Sequence, residues 1–171
     1  MRQRDINIVL IGMPCSGKTS VGKILAESLS MDFCDVDEYI EKSVGKTITE
    51  IFENGESYFR TLERTAIEKL SQKTNTVIAT GGGVILCSQN MANLKQKSVV
   101  FFINRPIDHI VKDIDISNRP LLAKNIGKIY QLFQERYELY KKYSDFEIQS
   151  RKGILDTAKK IIKVLEDREL I

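Results

Sequence analysis

Ile6-Asn-Ile-Val-Leu-Ile-Gly-Met-Pro-Cys-Ser-Gly-Lys-Thr19, running on into Ser20-Val-Gly-Lys-Ile-Leu-Ala-Glu-Ser-Leu29, decides the fold. Ile6 to Ile11 is a short β-branched apolar run of the kind that forms a buried strand. Val21, Ile24, Leu25 and Leu29 then recur at helical spacing. Between them Gly12 to Thr19 satisfies GxxxxGK[ST], in the strand–loop–helix setting that this motif requires. Its glycines let backbone N–H groups turn inward around phosphates, and the helix that follows presents its positive end to the same anion. Lys18 supplies a point charge for the β- and γ-phosphates, and the Thr19 hydroxyl is a ligand for Mg²⁺. ATP contacts are expected from Cys15, Ser16, Gly17, Lys18, Thr19 and Ser20.

Outward from this motif, strand-like runs alternate with helical patterns. Met31–Cys34, Thr76–Thr80, Ser98–Ile103 and a segment near Phe146 read as further strands. Helices are expected at about 47–54, 56–72, 107–114, 125–143 and Ile154–Leu165. The polar stretch from Asp115 to Lys124, which holds Pro120, reads as a loop. Strict β–α alternation with short connections predicts a parallel sheet covered on both faces, with ligands beyond the carboxyl ends of its strands. No linker or repeat divides the chain, so residues 1–171 are expected to form one domain.

Composition narrows the functions. The 171 residues carry 26 Lys+Arg against 23 Asp+Glu, a net charge of +3 that is too slight to argue for nucleic acid. The three cysteines share no CxxC spacing and there is one histidine, so neither a disulfide framework nor a zinc site is indicated. No apolar run approaches the ~18 residues of a membrane helix, and Met1 to Asp5 has no signal-peptide core. A cytoplasmic protein with no membrane or nucleic-acid partner is expected, and nothing demands more than a monomer.

Three further segments carry candidate chemistry. Asp35-Val-Asp37 follows the second strand, and in an extended Asp-x-Asp both carboxylates face one side. One suits Mg²⁺ or its waters; the other can orient a substrate hydroxyl and take its proton. The alternative is a helix cap, with Asp37 capping a segment that starts at Glu38. Arg60, in a helix with an apolar face, has the fork geometry for a carboxylate, and Glu63 one turn on can hold its guanidinium; a solvated arginine is the alternative. Gly81-Gly82-Gly83 ends the third strand, either as backbone that approaches a ligand closely or as an ordinary flexible turn. Arg119 sits in the polar loop with Lys112 and Lys124 flanking it, and Arg136 and Tyr140 lie one turn apart on a later helix.

GMPCSGKT at 12–19, DVD at 35–37, GESYFRTLE at 55–63, GGG at 81–83, RPLL at 119–122 and RYELY at 136–140 stand in the order found in the shikimate kinases, and the chain resembles that family over essentially its whole length. The resemblance implies a three-layer α/β/α P-loop fold of the nucleoside-monophosphate-kinase type, its five-stranded parallel sheet ordered 2-3-1-4-5. It implies substrate-binding helices at about 38–72, a lid at about 113–124, and transfer of the ATP γ-phosphoryl to the 3-hydroxyl of shikimate on the route to chorismate. Lys18, Asp37 and Arg119 are then the catalytic residues, and Asp37, Arg60, Gly82 and Arg136 contact shikimate. Thr19 and Asp35 hold Mg²⁺, while Lys112, Arg119 and Lys152 complete the ATP site. This sequence departs from the family at Cys15, where a third loop glycine is usual, and at Lys112, where arginine is usual. Glu138 and Ser144 replace a common proline and alanine, and the loop near Arg151 and Lys152 lacks its usual proline. A gluconate or nucleoside monophosphate kinase is the nearest rival. A guanine switch is disfavoured because Asn104-Arg-Pro-Ile-Asp108 has the wrong spacing for a base reader.

Overall fold

The computed structural model describes residues 6–113 and 126–171. Strand β1 (Asn7–Ile11) is apolar on both faces and buried throughout, as a central parallel strand must be. It pairs with β3 (Thr76–Ala79) on one side and β4 (Ser98–Asn104) on the other, with Val9 set between Ile78 and Val100. Strands β2 (Asp32–Asp35) and β5 (Phe146–Gln149) close the two edges, so the sheet is parallel with order β2-β3-β1-β4-β5. The expected order holds.

The period-two alternation of the strands sorts the core into two layers. Ile8, Leu10, Val77, Phe101 and Ile103 face α1 (Lys18–Leu29) and α8 (Ile154–Asp167). Val9, Ile11, Ile78, Val100 and Phe102 face the opposite layer. That layer contains α2 (Val36–Val44), α3 (Ile48–Phe52), α4 (Glu56–Leu70), α5 (Ser88–Lys95), α6 (Ile107–Asp113) and α7 (Ile126–Tyr143).

Three sequence readings need correction. The chain does not stay extended through Asp35-Val-Asp37: β2 ends at Asp35 and α2 begins at Val36, placing Asp37 in the first helical turn. The cap is Asp35, whose Oδ1 accepts from the Asp37 and Glu38 N–H groups at 3.0 and 3.3 Å, and not Asp37 as the alternative reading held. Such a cap is worth about 1 kcal/mol. A 3₁₀ turn (Val84–Leu86) and α5 also follow the triple glycine, where no element was anticipated. Met91 and Leu94 are the inward apolar residues of α5, beside the buried polar Asn90, and are too few to announce a helix by periodicity.

Candidate active site

The phosphate loop joins β1 to α1 at the carboxyl edge of the sheet. Gly17 precedes α1 with φ 92°, a left-handed conformation that glycine adopts without strain, and no side chain caps the helix. The first amides of α1 therefore face the cleft as donors for an anion. Lys18 is 7% exposed and lies back along the loop, its Nζ donating to the Gly12 and Met13 carbonyls at 2.9 and 2.7 Å. The Thr19 hydroxyl donates to Asp35 Oδ2 at 2.6 Å. The two residues expected at the metal therefore converge as hard oxygen donors beside the loop. That donor set suits a small divalent cation whose other ligands are phosphate oxygens and water.

A cavity of roughly 290 Å³ opens here, lined by Pro14, Cys15, Gly17, Lys18, Thr19 and Ser20 on the loop side. Asp35, Asp37, Thr80, Gly81 and Gly82 form the facing wall. The loops after β1, β2 and β3 thus make one cleft, and Ser16 is buried behind it.

Behind the far wall is a compact charged cluster on α4 and α7. Glu63 is fully buried, and its Oε2 accepts from Arg60 Nη1 at 2.9 Å. Arg60 Nε and Nη2 donate to Glu56 Oε1 at 3.2 and 3.0 Å on the solvent side. Burial works against the Arg60 charge, but the adjacent Glu63 carboxylate and its hydrogen bond outweigh it, so the guanidinium pKa lies above its ordinary value. Burial pushes the Glu63 carboxyl up, with Asp37 adding to the rise and Arg60 and Arg136 opposing it. Glu63 Oε1 has no hydrogen-bond partner among the described residues.

The triple glycine is what lets these parts meet. A Cβ on Gly83 would overlap the Arg60 guanidinium, coming within 2.7 Å of Nη1. A Cβ on Gly82 would stand 2.7 Å from Pro14 Cδ of the phosphate loop, and one on Gly81 would stand 3.1 Å from Asp37 Oδ1. The Gly82 carbonyl accepts from the Tyr140 hydroxyl at 2.5 Å. Tyr140 is fully buried, and burial pushes its phenol up to about 12, with Arg136 close enough to hydrogen-bond the same oxygen and pull the other way. The phenol therefore stays protonated, as a donor must.

Of the expected site residues, the fold thus draws Cys15, Ser16, Gly17, Lys18, Thr19, Ser20, Asp35, Asp37 and Gly82 into the cleft or its supporting wall. Arg60 and Arg136 sit behind that wall, linked through Glu63. Lys112 and Lys152 are exposed, and neither lines the cleft. Arg119 and positions 114–124 of the expected lid lie outside the described residues. Sequence reading did not identify the Tyr140 bond to Gly82 or the contact of Pro14 with that glycine. The only hint of the first was the one-turn spacing of Arg136 and Tyr140.

An uncapped helix end after the glycine loop, a threonine–aspartate oxygen pair and a neighbouring arginine–glutamate cluster fit a small P-loop phosphotransferase. Such enzymes use ATP with a divalent cation. Comparison with known proteins makes this specific. The shikimate kinase family model matches residues 14–166. Shikimate kinase of Clostridium beijerinckii is 41% identical over 160 residues, covering 94% of this chain and 95% of that protein. Shikimate kinase of Thermodesulfovibrio yellowstonii is 45% identical over 166 residues, covering 94% and 95%. The structure of the Acinetobacter baumannii shikimate kinase in complex with shikimate superposes with a TM-score of 0.92 at 36% identity, covering 99% of this chain and 97% of that one. The chain belongs to the shikimate kinase family.

Proposed function

We propose that this chain transfers the γ-phosphoryl of ATP to the 3-hydroxyl of shikimate, within a single kinase domain. The observation that carries the acceptor assignment is the position of the Arg60–Glu63 pair directly behind the triple-glycine wall of the phosphate cleft. A carboxylate held there would leave the rest of a small ring facing Asp37 and the terminal phosphate.

The roles follow from chemistry. Arg60 and Arg136 bind the acid, because guanidinium forks match a carboxylate and Glu63 fixes the first of them. The Gly82 backbone contacts the ring, held in place by Tyr140. Asp37 accepts a hydrogen bond from the attacking hydroxyl and orients it, the contribution a carboxylate makes to a loose phosphoryl-transfer transition state. The hydroxyl oxygen forms the new P–O bond as the bond to the β-phosphate bridging oxygen breaks, its proton passes to the Asp37 carboxylate, and ADP leaves. Lys18 leaves the loop carbonyls for the β- and γ-phosphates. Arg119, by its place in RPLL, is assigned the charge that develops on the transferred group, and Lys112 and Lys152 the nucleotide's far end. Mg²⁺ is the cation proposed for Thr19 and Asp35, which would hold it, and it would supply neutralisation of the phosphate charge.

We further assign the helices at about 38–72 to acceptor binding, and a monomeric, cytoplasmic enzyme. No helix among the described residues is long and apolar enough to cross a membrane. An ADP-release assay across shikimate, gluconate and AMP tests the acceptor: shikimate is expected to be preferred by orders of magnitude, and preference for either rival overturns the assignment. EDTA should abolish turnover and Mg²⁺ restore it. Sedimentation should give a single species near 19.5 kDa.

A further inference from the structure

Arg105 belongs to none of the parts described above. It follows β4 in Asn104-Arg105-Pro106, and its guanidinium reaches the phosphate loop, where Nη1 donates to the Cys15 carbonyl at 3.1 Å. Its other fork, Nη2, pairs with the Asp113 carboxylate at the end of α6. The side chain is largely buried and Asp113 is exposed.

Cys15 is the point of strain in the loop. Its φ is 62°, the left-handed region, in which a residue with a Cβ is disfavoured. Such a conformation persists only where the surroundings over-determine it. They do so here from both ends of one peptide unit. The Ser16 N–H donates to the Met13 carbonyl at 3.2 Å, and the Cys15 carbonyl accepts from Arg105. A peptide released at either end can rotate and aim its carbonyl toward the cleft, where phosphate needs donors.

We propose that Arg105 is a positioning residue for the nucleotide: it pins the Cys15 carbonyl outside the loop, so that a left-handed cysteine can serve where glycine would need no such support. The inference rests on the loop being the ATP site and goes beyond the roles assigned above. Asp113 aims the guanidinium. The cysteine and the arginine therefore act as a coupled pair.

A double-mutant cycle tests this. Arg105→Ala is expected to raise KM for ATP about tenfold, the worth of one charge-assisted hydrogen bond, with KM for shikimate unchanged. In the Cys15→Gly background the same substitution should cost less than about threefold, because glycine takes a left-handed φ without a Cβ penalty. Asp113→Asn, at an exposed position that does not endanger folding, separates positioning from charge by sign. Loss of an anion near the nucleotide lowers KM for ATP if only charge matters, whereas loss of the residue that aims Arg105 raises it. A rise in KM that is seen with Cys15 in place and disappears in the Cys15→Gly background supports the proposal. Equal losses in both backgrounds, no change in KM for ATP, or a fall with Asp113→Asn overturns it. ATP-dependent turnover by the wild type and Cys15→Gly, lost in Lys18→Met, shows that the loop assignment holds whichever way the cycle falls.

Discussion

The two halves of the cleft are built in opposite ways. The phosphate grip that we assign to the nucleotide half is one contiguous stretch, Gly12 to Thr19, built of backbone amides and a helix end. The half we assign to the acceptor is assembled from side chains on α2, α4 and α7 around a glycine turn, and it is held by the Arg60–Glu63 ion pair and a buried phenol. The difference teaches where each half is vulnerable. A backbone grip tolerates side-chain change except at the lysine that carries charge and at the left-handed Cys15, whose peptide is braced by Arg105. A side-chain grip depends on every member and on the groups that hold them.

The largest effect should therefore come from Lys18→Met. Removing the only side-chain charge the loop brings to the phosphates is expected to lower kcat by ~10³-fold or more while the melting temperature changes little. A fully active variant would show that the loop is not the ATP site. Asp37→Asn comes next, with kcat expected to fall ~10²-fold and KM for ATP to hold, since the general base or orienting group of such sites contributes on that scale. A matching loss in ATP binding would place Asp37 in the nucleotide half instead.

Glu63 ties the comparison to pH. Burial raises its carboxyl above the ordinary 4.5, so on acidification it takes a proton earlier than an exposed glutamate. Arg60 then loses its buried counter-charge, and KM for shikimate should rise in that window while KM for ATP stays level. Glu63→Gln is expected to remove this acid limb; an unchanged limb would assign it to another group. The sign for stability is the reverse. A carboxyl with a raised folded pKa contributes most below its unfolded value and loses that contribution as pH climbs through the folded value, so ionised Glu63 serves binding at some expense to the fold. Tyr140→Phe should have the smallest effect. Loss of the donor to Gly82 is expected to cost about 1–2 kcal/mol in stability, with a modest rise in KM for shikimate. A thermal melt and one saturation curve suffice to check it.

This asymmetry also explains what could be read before any coordinates. Gly12 to Thr19 was legible because strand, loop and helix are adjacent and each has its own pattern. A parallel sheet with helices on both faces was likewise expected, because continuous apolar runs alternate with helices, whereas the strand order followed from the resemblance to the shikimate kinases. The Arg60–Glu63 pair could be anticipated from i, i+3 spacing alone. By contrast, Asp35 and not Asp37 caps α2, because β2 hands over to the helix two residues sooner than an extended Asp-x-Asp supposes. Tyr140 reaching Gly82 spans 58 residues, and Arg105 reaching Cys15 spans 90; no local periodicity encodes either. Contacts of that length depend on packing, and packing is not written in neighbouring residues.

The account rests on two grips that are separable yet share one cleft, and calorimetric titration of Arg60→Ala with shikimate and with ADP tests it most directly. Shikimate affinity is expected to fall by ~10- to 100-fold, the worth of a charge-assisted fork, with ADP affinity unchanged. Unaltered shikimate affinity, or an equal loss for both ligands, would contradict it.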